Sequence, residues 1–290
     1  MNNTRFAVPK AFFCYCIVIA FSLHASSQVV PLPHAYAHND YWHKRPLFDA
    51  LDNGFTHIEA DVYLRHSKLL VAHRPPMLKF LKKRKTIEGL YLKPLFSRLS
   101  NTGEAIQSPL DTIVLMIDIK SKGEKTYTAL MKVLKNYKSI LSSCENGKVI
   151  IRNLTLVLTG HRPLHLLKSE DTRFVFADAD LKKLNNSEDC PEMYTTASCK
   201  YSSLVKWKGK GDIPEGERER LTNLVNKAHL AGTKVRLWAA PEKEVVWHFL
   251  RNCGVDLINT DKLVALKKFF INDIHQLEKM IHRDLSTWYS

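Results

Sequence analysis

Residues 34–76 read HAYAHNDYWHKRPLFDALDNGFTHIEADVYLRHSKLLVAHRPP. Two β-rich runs, 35–38 and 57–64, bracket an amphipathic segment at 47–53. That segment stops at Gly54, a residue suited to the left-handed conformation that closes many helices. Strand, helix, strand in this order is the building unit of a parallel α/β domain. The same alternation continues to the end of the chain. Further strands are predicted at 112–120, 154–159, 174–178, 197–203, 234–239 and 256–259, and helices at 124–141, 215–231, 242–253 and 264–281, where apolar residues recur three and four apart. Gly232 and Gly254 follow two of these helices as Gly54 follows the first. Eight strand units predict a single-domain α/β fold, a TIM (β/α)8 barrel spanning 28–290. The polar stretch 181–196, with Pro191 inside it, reads as a long loop, and there is no internal repeat.

A barrel of this kind builds its active site at the C-terminal ends of its strands. His38, Glu59, Asp61 and His73 all stand at or near such ends in the opening stretch. Glu59 and Asp61 are two residues apart in HIEADVYL, so strand alternation places both on one face. Two buried carboxylates side by side repel each other, and a divalent cation relieves the conflict; oxygen-only ligation suits Mg2+ or Ca2+ better than zinc. An outward-facing charged edge is the simpler alternative for this pair. A third acid, Asp118, closes the apolar run TIVLMIDIK, with Lys120 two residues later on the same face. The three acids make a candidate cation site, and Lys120 can meet a phosphate oxygen or form a salt bridge with Asp118. His38 and His73 titrate near neutrality, as an acid/base pair requires. Most of the 13 histidines, including His34, His43, His57, His66, His161 and His248, are read as surface or packing residues.

Farther out, the chain has 290 residues, 45% of them hydrophobic and 25% charged, enough apolar material for one sizeable core. A formal charge of +14 favours anionic partners such as a phosphorylated substrate or an anionic membrane surface. The lysines are dispersed, and no RNA-recognition, zinc-finger or basic-zipper pattern is present, so specific nucleic-acid binding is not expected. At the N-terminus, Arg5 and Lys10 precede an apolar run at 11–23 and the small residues Ala25, Ser26 and Ser27, which reads as a signal peptide over 1–27. The expected protein is therefore exported, either periplasmic or secreted. Oxidation is permitted there, and Cys190 with Cys199 is the nearest candidate disulfide, with free buried thiols as the alternative.

Taken in order, the segments AHN, IEADV, VAHR, IDIK, VRLWA and GVDLINTD resemble the glycerophosphodiester phosphodiesterase and phosphatidylinositol-specific phospholipase C superfamily, and most closely a branch with a His-Asn-Asp-Tyr signature. The resemblance spans about 34–265. It implies a TIM barrel, His38 and His73 as catalytic residues, and Glu59, Asp61 and Asp118 as ligands of one divalent cation. Asn39, Lys120, Arg236 and Trp238 then fall at substrate-binding positions. The chain departs from common members in four places. Asn39-Asp40 replaces Arg-Gly after the first histidine, Lys44, Arg45 and Pro46 stand in the neighbourhood where a Glu-Asn-Thr triplet is common, Arg74 replaces the aspartate after the second histidine, and Asp118 replaces a glutamate. Lys120, Arg236 or Arg74 can supply the missing positive charge. The function implied is metal-dependent cleavage of a small-molecule or lipid phosphodiester by two histidines, His38 leaning to acid and His73 to base. Alternatives are a phospholipase D-like lyase that forms a cyclic phosphate, a non-catalytic barrel binding phosphorylated head groups, and a nuclease.

Overall fold

Alternation along the chain decides which way each strand faces, and the computed structural model, describing residues 29–76, 85–100, 112–184 and 192–286, contains all eight expected strands. The strands are β1 (Leu32–Ala37), β2 (Phe55–Arg65), β3 (Lys68–Val71), β4 (Ile113–Ile119), β5 (Ser143–Glu145), β6 (Lys148–Ile150), β7 (Leu154–Gly160), β8 (Thr172–Arg173), β9 (Phe176–Asp180), β10 (Tyr194–Lys200), β11 (Lys234–Trp238) and β12 (Ile258–Thr260). The helices are α1 (Phe48–Asp52), α2 (Lys93–Ser100), α3 (Gly123–Leu134), α4 (Leu164–Lys168), α5 (Glu215–Leu230), α6 (Glu244–Asn252) and α7 (Leu263–Ile281). The parallel sheet runs β12, β1, β2, β4, β7, β9, β10, β11. It comes round on itself where Arg236 bridges Leu257 and Val235 carbonyl accepts the Leu257 amide at 3.0 Å. The result is a nearly closed (β/α)8 barrel in one domain.

The two faces of β2 explain the site. Ile58, Ala60 and Val62 are buried outward with Leu115, Ile117 and Ile119 of β4 in the layer beneath the helices. The intervening His57, Glu59 and Asp61 must then face the barrel axis. Inside, Tyr36, Met116, Val157, Phe176 and Leu257 form a second apolar cluster, with Cys144 of β5 joining it. Asp178 of β9 is also buried, and its carboxylate accepts the hydroxyls of Thr196 at 2.7 Å, Thr159 at 3.0 Å and Ser198.

Gly54, Gly232 and Gly254 all have positive φ, between 74° and 84°, as their helix-closing positions require. The helix expected over 124–141 ends at Leu134, and Lys138–Ile140 forms a separate 3-10 turn that delivers Leu141 to a bridge with Leu154. Likewise β10 stops at Lys200 and Tyr201–Ser203 is a 3-10 turn, fastened by the Ser203 hydroxyl on the Lys200 carbonyl at 2.6 Å. The expected signal segment lies outside the described residues, as does Cys190 of the candidate disulfide. Cys144, Cys199 and Cys253 are buried free thiols.

Candidate active site

The chain beyond Asp61 folds back on itself. β2 extends past the barrel and pairs antiparallel with β3 through a two-residue turn in which His66 and Ser67 have φ of 45° and 60°. The Ala72 amide then donates to the Asp61 carbonyl at 3.1 Å, which returns His73 to the side of Asp61. His73 Nδ1 lies 3.1 Å from Asp61 Oδ2, and the ring of Trp42 packs edge-on against it at 5.1 Å.

Asp61 and Asp118 are register partners on adjacent parallel strands, so their carboxylates face the same space. One oxygen from each of Glu59, Asp61 and Asp118 lies within 4.8 Å of the others, and Glu59 and Asp61 are buried. Lys120 Nζ is 2.6 Å from Asp118 Oδ2 and 3.5 Å from Asp61 Oδ2. Arg236, 3% exposed, donates to Glu59 at 3.2 Å and to Asn259 Oδ1 at 3.0 Å, with its guanidinium 4.4 Å above the Tyr36 ring. Three acids thus face two permanent cations. Burial raises the Asp61 carboxyl above its usual range; Lys120 opposes this, and Asp118 and Glu59 reinforce it. Asp118 Oδ1 is buried and has no hydrogen-bond partner among the described residues. A buried orphan oxygen within an all-oxygen set is what a hard divalent cation needs, so the cluster is capable of coordinating one.

His38 follows the last residue of β1, where its amide donates to the Thr260 carbonyl at 3.0 Å. Its Nδ1 is 2.8 Å from Asp261 Oδ1 and its Nε2 is 3.9 Å from Glu59 Oε2. Burial lowers the imidazole pKa, but the Asp261 hydrogen bond and the Glu59 charge outweigh it, leaving a net rise. The two histidines therefore flank the cluster, one beside Glu59 and one beside Asp61.

The AIM6-like phosphodiesterase domain family matches residues 23–178, more than half of the chain. This chain belongs to that family. It is 30% identical to "Altered inheritance of mitochondria protein 6" of Eremothecium gossypii, over 82% of this chain and 69% of that protein. With the Lachancea thermotolerans protein of the same name it shares 30% over 80% of the chain and 64% of that protein, and with the Arthroderma benhamiae homologue 27% over 83% and 85%. The AIM6-like domain on a TIM barrel places the chain in the glycerophosphodiester phosphodiesterase-like superfamily, with phosphodiesterase-type hydrolase chemistry in general terms. The expectation of an exported protein is corrected: these relatives are named for altered inheritance of mitochondria, and not as periplasmic or secreted proteins.

In this AIM6-like chain, His38, Asn39, Glu59, Asp61, His73, Asp118 and Lys120 come together around one space. Arg236 lies beneath them against Glu59, and Trp238, at the end of β11, is 39% exposed with its ring facing Lys200 Nζ at 5.8 Å. Reading the sequence assigned no part in the site to Tyr41, Asp261 or Gly160. Tyr41 OH is 2.9 Å from Asp61 Oδ2, and a Cβ on Gly160 would overlap Asp118 Oδ1. Asp261 was within reach of inference, because closure of a barrel sets the end of the last strand beside the end of the first.

Proposed function

We propose that the domain at 28–290 cleaves a phosphodiester of lipid-derived or glycerol type, with His38 and His73 exchanging protons across the carboxylate cluster. The observation that carries this reading is the pair of histidines, each beside a different acid of one cluster at the mouth of the barrel. Glu59, Asp61 and Asp118 would hold Mg2+ or Ca2+, which when bound would supply charge neutralisation to the phosphate. Lys120 adds a positive charge on the same side. Arg236 is placed to orient Glu59 rather than to reach solvent, and Asn39, 4% exposed, is taken up by Tyr41, His38 and Asp261, which leaves the rim residue Trp238 to face the non-reacting part of the substrate.

Asp261 stabilises the protonated form of His38 and fixes its Nδ1, which suits His38 to protonate the leaving alkoxide through Nε2. His73 is anchored through Nδ1 and, being more exposed, can take a proton from water or a substrate hydroxyl through Nε2.

Purified protein should hydrolyse bis(p-nitrophenyl) phosphate in Mg2+ or Ca2+, and EDTA should abolish the activity. His38→Ala and His73→Ala should each lower kcat by about 100-fold or more. Turnover near that of wild type in either variant would refute the paired-histidine reading. A panel of lipid-derived and glycerol phosphodiesters followed by 31P NMR identifies the substrate, and a cyclic phosphate product would show transfer to an internal hydroxyl.

A further inference from the structure

We infer that Tyr41 is a positioning residue of this site, its phenol hydroxyl holding the Asp61 carboxylate in place and thereby setting the cation affinity of the cluster. The inference rests on the reading of Glu59, Asp61 and Asp118 as a cation site.

The hydroxyl stands where three groups converge. It is 2.8 Å from Asn39 Oδ1, 2.9 Å from Asp61 Oδ2 and 3.2 Å from His73 Nδ1. Asp61 Oδ2 and His73 Nδ1 are themselves 3.1 Å apart, so phenol, carboxylate and imidazole form a closed triangle. A phenol keeps its proton at neutral pH, so Tyr41 has one hydrogen to donate. That single proton cannot serve both Asn39 Oδ1 and Asp61 Oδ2. The charged acceptor makes the stronger bond, so Tyr41 donates to Asp61.

The Asn39 carboxamide oxygen lies against the phenol at 2.8 Å, and its nitrogen faces Asp261 Oδ1 at 3.5 Å, the oxygen that also takes the His38 Nδ1 contact at 2.8 Å.

The backbone carrying Tyr41 is pinned independently. Asn39 adopts φ 47°, and the turn Asp40–Trp42 follows. Fully buried Asp40 accepts the Leu47 amide at 2.6 Å and the Tyr91 hydroxyl at 2.8 Å through Oδ2. A phenol on so fixed a turn can hold its partner in one orientation. The hydrogen-bond partners of metal ligands commonly change affinity ten- to a hundredfold when removed.

The test is a titration of the purified full chain with Mn2+, following free Mn2+ by electron paramagnetic resonance. Tyr41→Phe, which removes only the oxygen, should weaken Mn2+ binding about ten- to a hundredfold. Tyr127→Phe, which removes a buried phenol hydroxyl bonded to Glu170 at 2.7 Å and not to any residue of the cluster, should leave affinity within threefold while lowering Tm. If Tyr41→Phe loses the circular dichroism of the barrel, Asn39→Gly is the second variant. It suits the left-handed backbone, removes the partner of the phenol, and should weaken binding at least threefold. Wild-type affinity in whichever of these two variants folds overturns the inference alone. A wild-type chain that takes up no Mn2+ overturns both the inference and the cation site it rests on.

Discussion

At Gly160 the backbone turns to φ 67° beside the Asp118 carboxylate, and any Cβ there would overlap both Asp118 Oδ1 and the Ile119 carbonyl. Gly160→Ala should destabilise the fold by about 2 kcal/mol through the left-handed backbone alone. It should also push Asp118 out of line with Asp61. Urea denaturation together with Mn2+ titration checks both effects, and unchanged Mn2+ binding would show that Asp118 does not need the space. The acids themselves were legible because alternation and strand ends are local signals: Glu59 and Asp61 share a face by spacing, and Asp118 interrupts an apolar run. Gly160 and Tyr41 were not. Their tasks arise from contacts with residues 42 and 20 positions away in sequence, which no local pattern encodes.

At the scale of elements, the turn after β1 carries a pH-sensitive ion pair. His43 Nδ1 faces the Asp40 carbonyl at 3.0 Å and Asp40 Oδ1 at 3.6 Å, and these contacts, against the opposing effect of burial, push its pKa up to about 9. Because the folded value lies above the unfolded one, the stabilisation is fully present below about pH 6.5 and is lost as pH rises through about 9. Melting temperatures of wild type and His43→Gln should therefore differ most at acid pH and converge above pH 9. A constant gap across that window would place the contribution of His43 in packing. The eight barrel strands were visible because each buried run carries its own turn or cap signals. β5, β6 and β8 were not, since strands of two or three residues are too short to show a period of two. The hairpin of β2 and β3 was half visible. Its turn, His66-Ser67, lacks the Asn-Gly chemistry that usually announces a two-residue connection, although the polar run from Arg65 to Lys68 between apolar segments marks the place.

Across the whole molecule, a chain with formal charge +14 holds a cluster in which three acids face two cations. A ligand that binds the folded chain alone stabilises it by mass action, about 2.7 kcal/mol at a hundred times Kd. Mg2+ or Ca2+ at that excess should raise Tm by roughly 5–10 °C, and Asp118→Asn should erase the shift. An equal rise in both proteins would point to cations bound elsewhere. The barrel was readable as a whole because parallel strands linked by helices have few ways to close. Its closure also orders events in time. His38 and its partner Asp261 are 223 residues apart, at opposite ends of the barrel sequence. A chain emerging from the ribosome completes β2 and β4, and with them the acids, well before Asp261 appears. The imidazole thus acquires its carboxylate only when β12 docks beside β1, so catalytic competence by this route would be a property of the finished barrel and of no partly synthesised one.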